Sequence, residues 1–146
     1  MAAMRKLVIR LFASALLAGA PAAWADYFIV VSDDNPTTSL SETEALHLFL
    51  GRHRAFPGGT PARAYELAGD ELRAGFYRAL GAMSLSQVNS YWARLMFSGR
   101  NLPPQQLEST AAMLEKVSQD PRAIGWLPAA PSDKSLRTVL VLKAVP

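Results

Sequence analysis

Residues 26–32 (DYFIVVS) carry aromatic and β-branched side chains at successive positions from Tyr27 to Val31, without a polar residue between them. A run lacking the alternation of a half-solvated strand predicts one covered on both faces, and therefore internal to its sheet. After a loop at Asp33 to Thr38 the period changes. Ser41-Glu42-Thr43-Glu44 has the spacing of a capping box and predicts a helix to about Leu50, stopped at Gly51, with Leu46, Phe49 and Leu50 as its buried stripe. Phe56-Pro57-Gly58-Gly59 predicts a tight turn, and residues 61–67 (PARAYEL) alternate like a second, half-exposed strand. From Asp70 onward Leu72, Phe76 and Leu80 recur at four-residue spacing, which predicts a helix ended by Gly81. Ser84 or Ser86 caps a third helix running through Phe97, with Val88, Trp92 and Leu95 inward and Gly99 as its stop. Beyond Pro103-Pro104 a fourth helix is expected from about Leu107 to Ser118, yielding at Asp120-Pro121. Residues 123–127 (AIGWL) and 138–145 (TVLVLKAV) close the chain as two strands. This order predicts an α/β (α+β) fold, a mixed sheet flanked by about four helices in one domain, with Phe49, Phe76 and Trp92 in its core.

The first residues alter the charge argument. Arg5, Lys6 and Arg10 precede the apolar run Leu11 to Ala20, and Ala23-Trp24-Ala25 offers small residues at the positions a signal peptidase reads, so residues 1–25 are expected to be a secretory signal cleaved before Asp26. The uncharged stretch from Leu11 to Ala25 is shorter than the ~20 apolar residues of a spanning helix, so no membrane span is expected after cleavage. Three of the 15 Lys+Arg residues lie in that segment while all 12 Asp+Glu follow it, leaving residues 26–146 balanced in charge. The basic character of the whole chain is then no argument for nucleic acid, and no long run of one sign exists to suggest it. The absence of cysteine excludes disulfides, thiol chemistry and a lipid-modified N-terminal cysteine.

The sequence carries little catalytic chemistry. His47 and His53 are the two histidines, and neither has a second histidine or a cysteine at the usual ligand spacing, so both are expected on the surface and no metal or other cofactor is expected. There is no G-x-S-x-G elbow, no Ser-x-x-Lys and no phosphate loop. The adjacent carboxylates Asp33-Asp34, Glu42/Glu44 and Asp70-Glu71 sit where turns and helix starts place acids. No catalytic residue is expected, and the chain is read as a binding protein and not an enzyme. Binding chemistry resides in arginines beside aromatics: Arg73 and Arg78 around Phe76-Tyr77, and Arg94 between Trp92 and Phe97. A guanidinium recognises phosphate or carboxylate by its planar fork, and equally lays its stem over aromatic faces and pairs with neighbouring acids. Ser32 and Asn35, at the carboxyl end of the first strand, are a second candidate anion site that Arg73 would join across the crevice.

Several stretches in order resemble one family, the short periplasmic proteins related to the phosphate-binding component of ABC transporters. They are Leu40-Ser41-x-x-Glu44-x-x-x-x-Phe49-Leu50-Gly51, Phe56-Pro57-x-Gly59, Arg73-x-x-Phe76-Tyr77, Tyr91-Trp92-Ala93-Arg94-Leu95-x-Phe97-x-Gly99, Pro103-Pro104 and Ala123-Ile124-Gly125-Trp126. The resemblance implies a periplasmic-binding-protein-like domain over residues 26–146, a periplasmic location, and a single lobe where full-length members clamp phosphate between two. It also implies an anion seat at a strand-to-helix junction. Full-length relatives carry Ser-Gly-Thr there, and this chain has Ala68-Gly69-Asp70, so a carboxylate competes for the amides an anion would use. Asp70 either accepts a hydrogen bond from a protonated phosphate or caps its helix. The expected ligand contacts are Ser32, Asn35, Gly69, Asp70, Arg73 and Arg94, with a small anion such as phosphate as ligand, in ABC transport or sensing. The alternative expectation is a ligand-free lobe that binds a periplasmic or membrane protein.

Overall fold

The computed structural model describes residues 26–145. The expected signal segment, residues 1–25, lies outside the described residues. Nine elements follow in order: β1 (Tyr27–Ser32), α1 (Glu42–Phe49), β2 (Arg63–Leu67), α2 (Asp70–Gly81), α3 (Leu85–Phe97), β3 (Gln105–Leu107), α4 (Thr110–Gln119), β4 (Ala123–Leu127) and β5 (Leu136–Leu142). The strands form one mixed sheet in the order β3-β2-β4-β1-β5. β1 runs antiparallel to both β4 and β5, while β2 is parallel to β3 and to β4. The predicted α/β architecture, with β1 inside the sheet, is the one found. Among the described residues no helix is long and apolar enough to cross a membrane.

Helices cover both faces, and the alternation of β4 shows which goes where. Trp126 stacks on Phe76 of α2 with ring centroids 4.4 Å apart and planes 8° from parallel, and Tyr27 meets both rings edge-on. The preceding residue, Gly125, points to the other face, where an added Cβ would run into Met113 and Val117 of α4. α1, α2 and α3 therefore form one layer and α4 the other, with Ile29, Val30, Val31, Ile124 and Trp126 fully buried between them.

The expected Ser41–Glu44 capping box forms, and Ser84 is the one of the two candidate serines that caps α3. Ser41 with Glu44, and Ser84 with Gln87, form reciprocal capping boxes, and Ser109 caps α4. Three differences have physical causes. Leu107 closes a short parallel strand, residues 105–107, rather than opening a helix, because pairing with Tyr65–Leu67 supplies hydrogen bonds that no local signal announces. α1 buries Ala45, Leu48 and Phe49, whereas Leu46 turns sideways against Gly81. α2 buries Arg73, Phe76, Tyr77 and Leu80 while Leu72 is exposed, a rotation explained by what lies beneath it.

Gly125 lies in a strand with its partner helix packed directly above. Gly125→Ala is expected to overpack this contact and lower stability by about 1–3 kcal/mol, read as a reduced midpoint in urea unfolding with an unchanged slope.

Candidate functional site

Glu66 lies at the end of β2 on the same face as Ala64, which pairs with Ile124 and thus faces α2. Its side chain is 1% exposed. A carboxyl group removed from water needs hydrogen-bond partners, and α2 provides them from one face, one turn apart. Arg73 donates through Nε to Glu66 Oε1 at 2.9 Å, and the Tyr77 hydroxyl donates to Oε2 at 2.7 Å. Gln106 of β3 adds a longer contact to Oε1 at 3.4 Å. Burial, followed by the neighbouring carboxylate, pushes the Tyr77 hydroxyl well above the ordinary tyrosine range, so it stays a donor. These demands rotate α2 and bring Arg73 inward in place of Leu72.

Arg73 spends only one edge of its guanidinium on Glu66. The fork at the other end, Nη1 and Nη2, meets a single acceptor, Oδ1 of Asn89 in the first turns of α3, at 3.4 Å from each nitrogen. Asn89 is exposed, whereas Arg73 is buried. The same junction leaves helix amides free. Gly69 is the N-cap of α2 and makes no side-chain cap bond. Its φ of 111° is a conformation that suits glycine, although a side chain there would meet no neighbour. Asp70 is the first residue inside the helix, not its cap; with Glu71 it stands exposed in the first turn, where negative charge favours the helix dipole.

The remaining expected contacts do not converge on this junction. Because β1 is antiparallel to β4 while β2 is parallel to it, the carboxyl ends of β1 and β2 lie at opposite ends of the sheet. Ser32 and Asn35 therefore cannot share a crevice with Gly69 and Arg73. Both are buried and internally used: Ser32 Oγ accepts from the Asp34 N–H, while the Asn35 amide donates to the Pro121 carbonyl and accepts from the Thr37 N–H. Arg137 straps the same loop through the carbonyls of Asp33, Asn35 and Thr37. Arg94 is exposed and lines a different concavity with Arg52 and Tyr91. His53 is exposed and His47 half-exposed, and the two rings meet edge to face at 4.7 Å across the end of α1. Among the described residues no cluster of three metal-ligating side chains forms.

Glu66 was missed as a site residue in the reading of the sequence. Its signal was the alternation of β2, which puts Glu66 on the face of the small apolar Ala64, with an arginine one turn into the next helix.

The fold is an α/β lobe of the kind found in solved structures of phosphate-transport binding proteins. Among solved structures the chain is similar to a protein assigned as a phosphate ABC transporter substrate-binding protein, with bound phosphate, from Clostridium perfringens, at a TM-score of 0.62 and 14% identity over 80% of this chain and 46% of that one. It is likewise similar to an ABC-type phosphate transport receptor from Vibrio cholerae, at a TM-score of 0.59 and 17% identity over 80% of this chain and 47% of that one. At such identities the likeness is one of fold, and the chain spans a little under half the length of either neighbour. Both neighbours are transport proteins. No protein-family model matches the chain, and no curated protein matches it.

Breaking a buried ion pair from one side strands the other charge. Glu66→Ala is expected to cost about 3–5 kcal/mol, whereas Glu66→Leu combined with Arg73→Met should recover most of that loss. Urea unfolding of the two variants beside the parent chain measures both values.

Proposed function

We propose that this chain is an exported solute-binding-like protein that takes a small oxyanion such as phosphate at the β2–α2 junction, in transport or sensing outside the cytoplasm. The observation that carries the reading is the fork of Arg73, a buried cation whose two outer nitrogens share one long contact to an exposed amide. An oxyanion displacing the Asn89 side chain would accept both N–H groups in the bidentate geometry that guanidinium favours. The uncapped amides after Gly69 would supply further donors. Glu66 acts here as a positioning group that holds Arg73 by its Nε edge and turns the fork outward. Processing of residues 1–25 would deliver the chain to the periplasm, and the likeness to phosphate-transport proteins supports the choice of ligand class. Gly69, Arg73 and, as an antagonist, Asp70 are the retained contacts; Ser32, Asn35 and Arg94 are not part of this site.

The affinity should be modest. Glu66 neutralises Arg73, and Asp70 and Glu71 stand beside the amides. A charge 4 Å from a bound anion opposes it by ~1 kcal/mol in water and ~4 kcal/mol at an effective dielectric of 20. The same Glu66–Arg73 neutralisation favours a second reading, a lobe that binds a protein partner and no solute.

Titration calorimetry with inorganic phosphate separates the two. Asp70→Ser removes a negative charge without removing a cap, and is expected to tighten binding by about ten-fold, or about 1.4 kcal/mol. Asn89→Asp, on an exposed helix position, places a carboxylate on the fork and should abolish the heat while leaving the fold intact. Absence of heat and of thermal stabilisation at millimolar phosphate in both the parent and Asp70→Ser would leave the protein-binding reading.

A further inference from the structure

The C-terminal end of α3 holds an apolar tip. Phe97 is 96% exposed, Leu102 76% and Met96 51%. The tip is not a loose loop. Gly99, at φ 69°, reverses the chain, with its N–H donating to the Met96 carbonyl and the Arg100 N–H to the Leu95 carbonyl, each at 3.0 Å. Asn101 donates to the carbonyl of Gly51 at 3.2 Å, and Arg54 to that of Arg100 at 3.3 Å, so the reversal is tied to the end of α1. Apolar side chains are thus displayed outward on a braced turn.

The flanks of this tip are cationic. Arg94 and Arg100 belong to the same segment, Arg54 braces it, and Arg52 lies over the Tyr91 ring in the concavity that Arg94 lines. None of these four arginines makes an ion pair among the described residues. No carboxylate lines either the concavity beside Arg52 and Arg94 or the groove that contains Arg54, Trp92 and Leu102. Apolar side chains projecting beyond a collar of cations match the two layers of a lipid surface, with the acyl boundary taking the former and anionic headgroups the latter.

We propose that the segment Met96 to Leu102, with Arg52, Arg54, Arg94 and Arg100 around it, docks this chain on an anionic lipid bilayer. Vesicle flotation with the purified protein tests this. Vesicles of equal phosphatidylcholine and phosphatidylglycerol are expected to bind at least about ten-fold more tightly than phosphatidylcholine alone, with the difference falling as salt rises. Phe97→Ser with Leu102→Ser should remove binding to both compositions without lowering the melting temperature, because neither side chain is packed. Arg94→Gln with Arg100→Gln should remove the preference for the anionic vesicles. Failure to bind, equal binding to both compositions, or binding unchanged by the Phe97→Ser and Leu102→Ser pair overturns the proposal. A concentration-dependent dimer dispersed by that pair would assign the tip to a second copy of the chain and would equally overturn it.

Discussion

The carboxyl group of Glu66 is cut off from water at the end of a strand, and everything laid over it has to answer that burial. Arg73 and Tyr77 answer from one turn of α2, and in doing so they determine how that helix rolls on the sheet. Hydrophobic spacing alone favours Leu72 as the inward residue; the need of a buried acid for donors outweighs the gain from burying one more leucine, about 1.5–3 kcal/mol. With α2 rolled in this way, Phe76 lies flat on Trp126 and Tyr27 closes on both rings. The polar pair and the aromatic cluster are therefore not independent features. The roll of α2 that brings Arg73 and Tyr77 over Glu66 is also the one that lays Phe76 on Trp126.

The same pair decides what kind of recognition the junction can offer. Glu66 cancels the charge of Arg73, so an incoming anion is not drawn by a net positive site. What remains is directional: two N–H groups in one plane, and the free amides where α2 begins. Donors held in place before a ligand arrives cost little ordering on binding, but without surplus charge they would give an anion selectivity by shape more than affinity. Strand direction removes further help. With β1 antiparallel to its neighbours, the loop carrying Ser32 and Asn35 is delivered to the far end of the sheet and knotted there by Arg137.

What could be read along the chain was what depends on near neighbours. The capping box at Ser41, the turn at Phe56 to Gly59, the covered character of β1 and the order of the main elements all derive from contacts within a few residues. What escaped depends on partners brought from a distance. β3 has no local signature because its hydrogen bonds come from β2, forty residues earlier. Asp70 looked like a cap because the acid-rich start of α2 suits one, yet the backbone places Gly69 at that position. The ion pair was hidden because PARAYEL reads as half-exposed, while the layers on both sides bury Tyr65, Glu66 and Leu67 alike. The contact between His47 and His53 arises where α1 ends and the chain doubles back, a geometry that helical spacing does not contain.

A balanced total of charges can also conceal where they sit. No acid occurs between Glu44 and Glu66, or between Glu71 and Glu108, and the fold brings arginines of these two stretches together at the ends of α1 and α3. Positive charge of that kind differs from Arg73. The exposed guanidinium groups of Arg52, Arg94 and Arg100 attract anions through solvent, over a range of about 8–10 Å at ordinary ionic strength, and water competes for every hydrogen bond they make. Arg73 has almost no reach, because Glu66 cancels it, but its fork is withdrawn from water and already aimed. A surface that gathers anions and a pocket that orients one are separate tasks. The proposed anion seat and the proposed lipid-docking tip rest on different arginines, so losing one need not abolish the other.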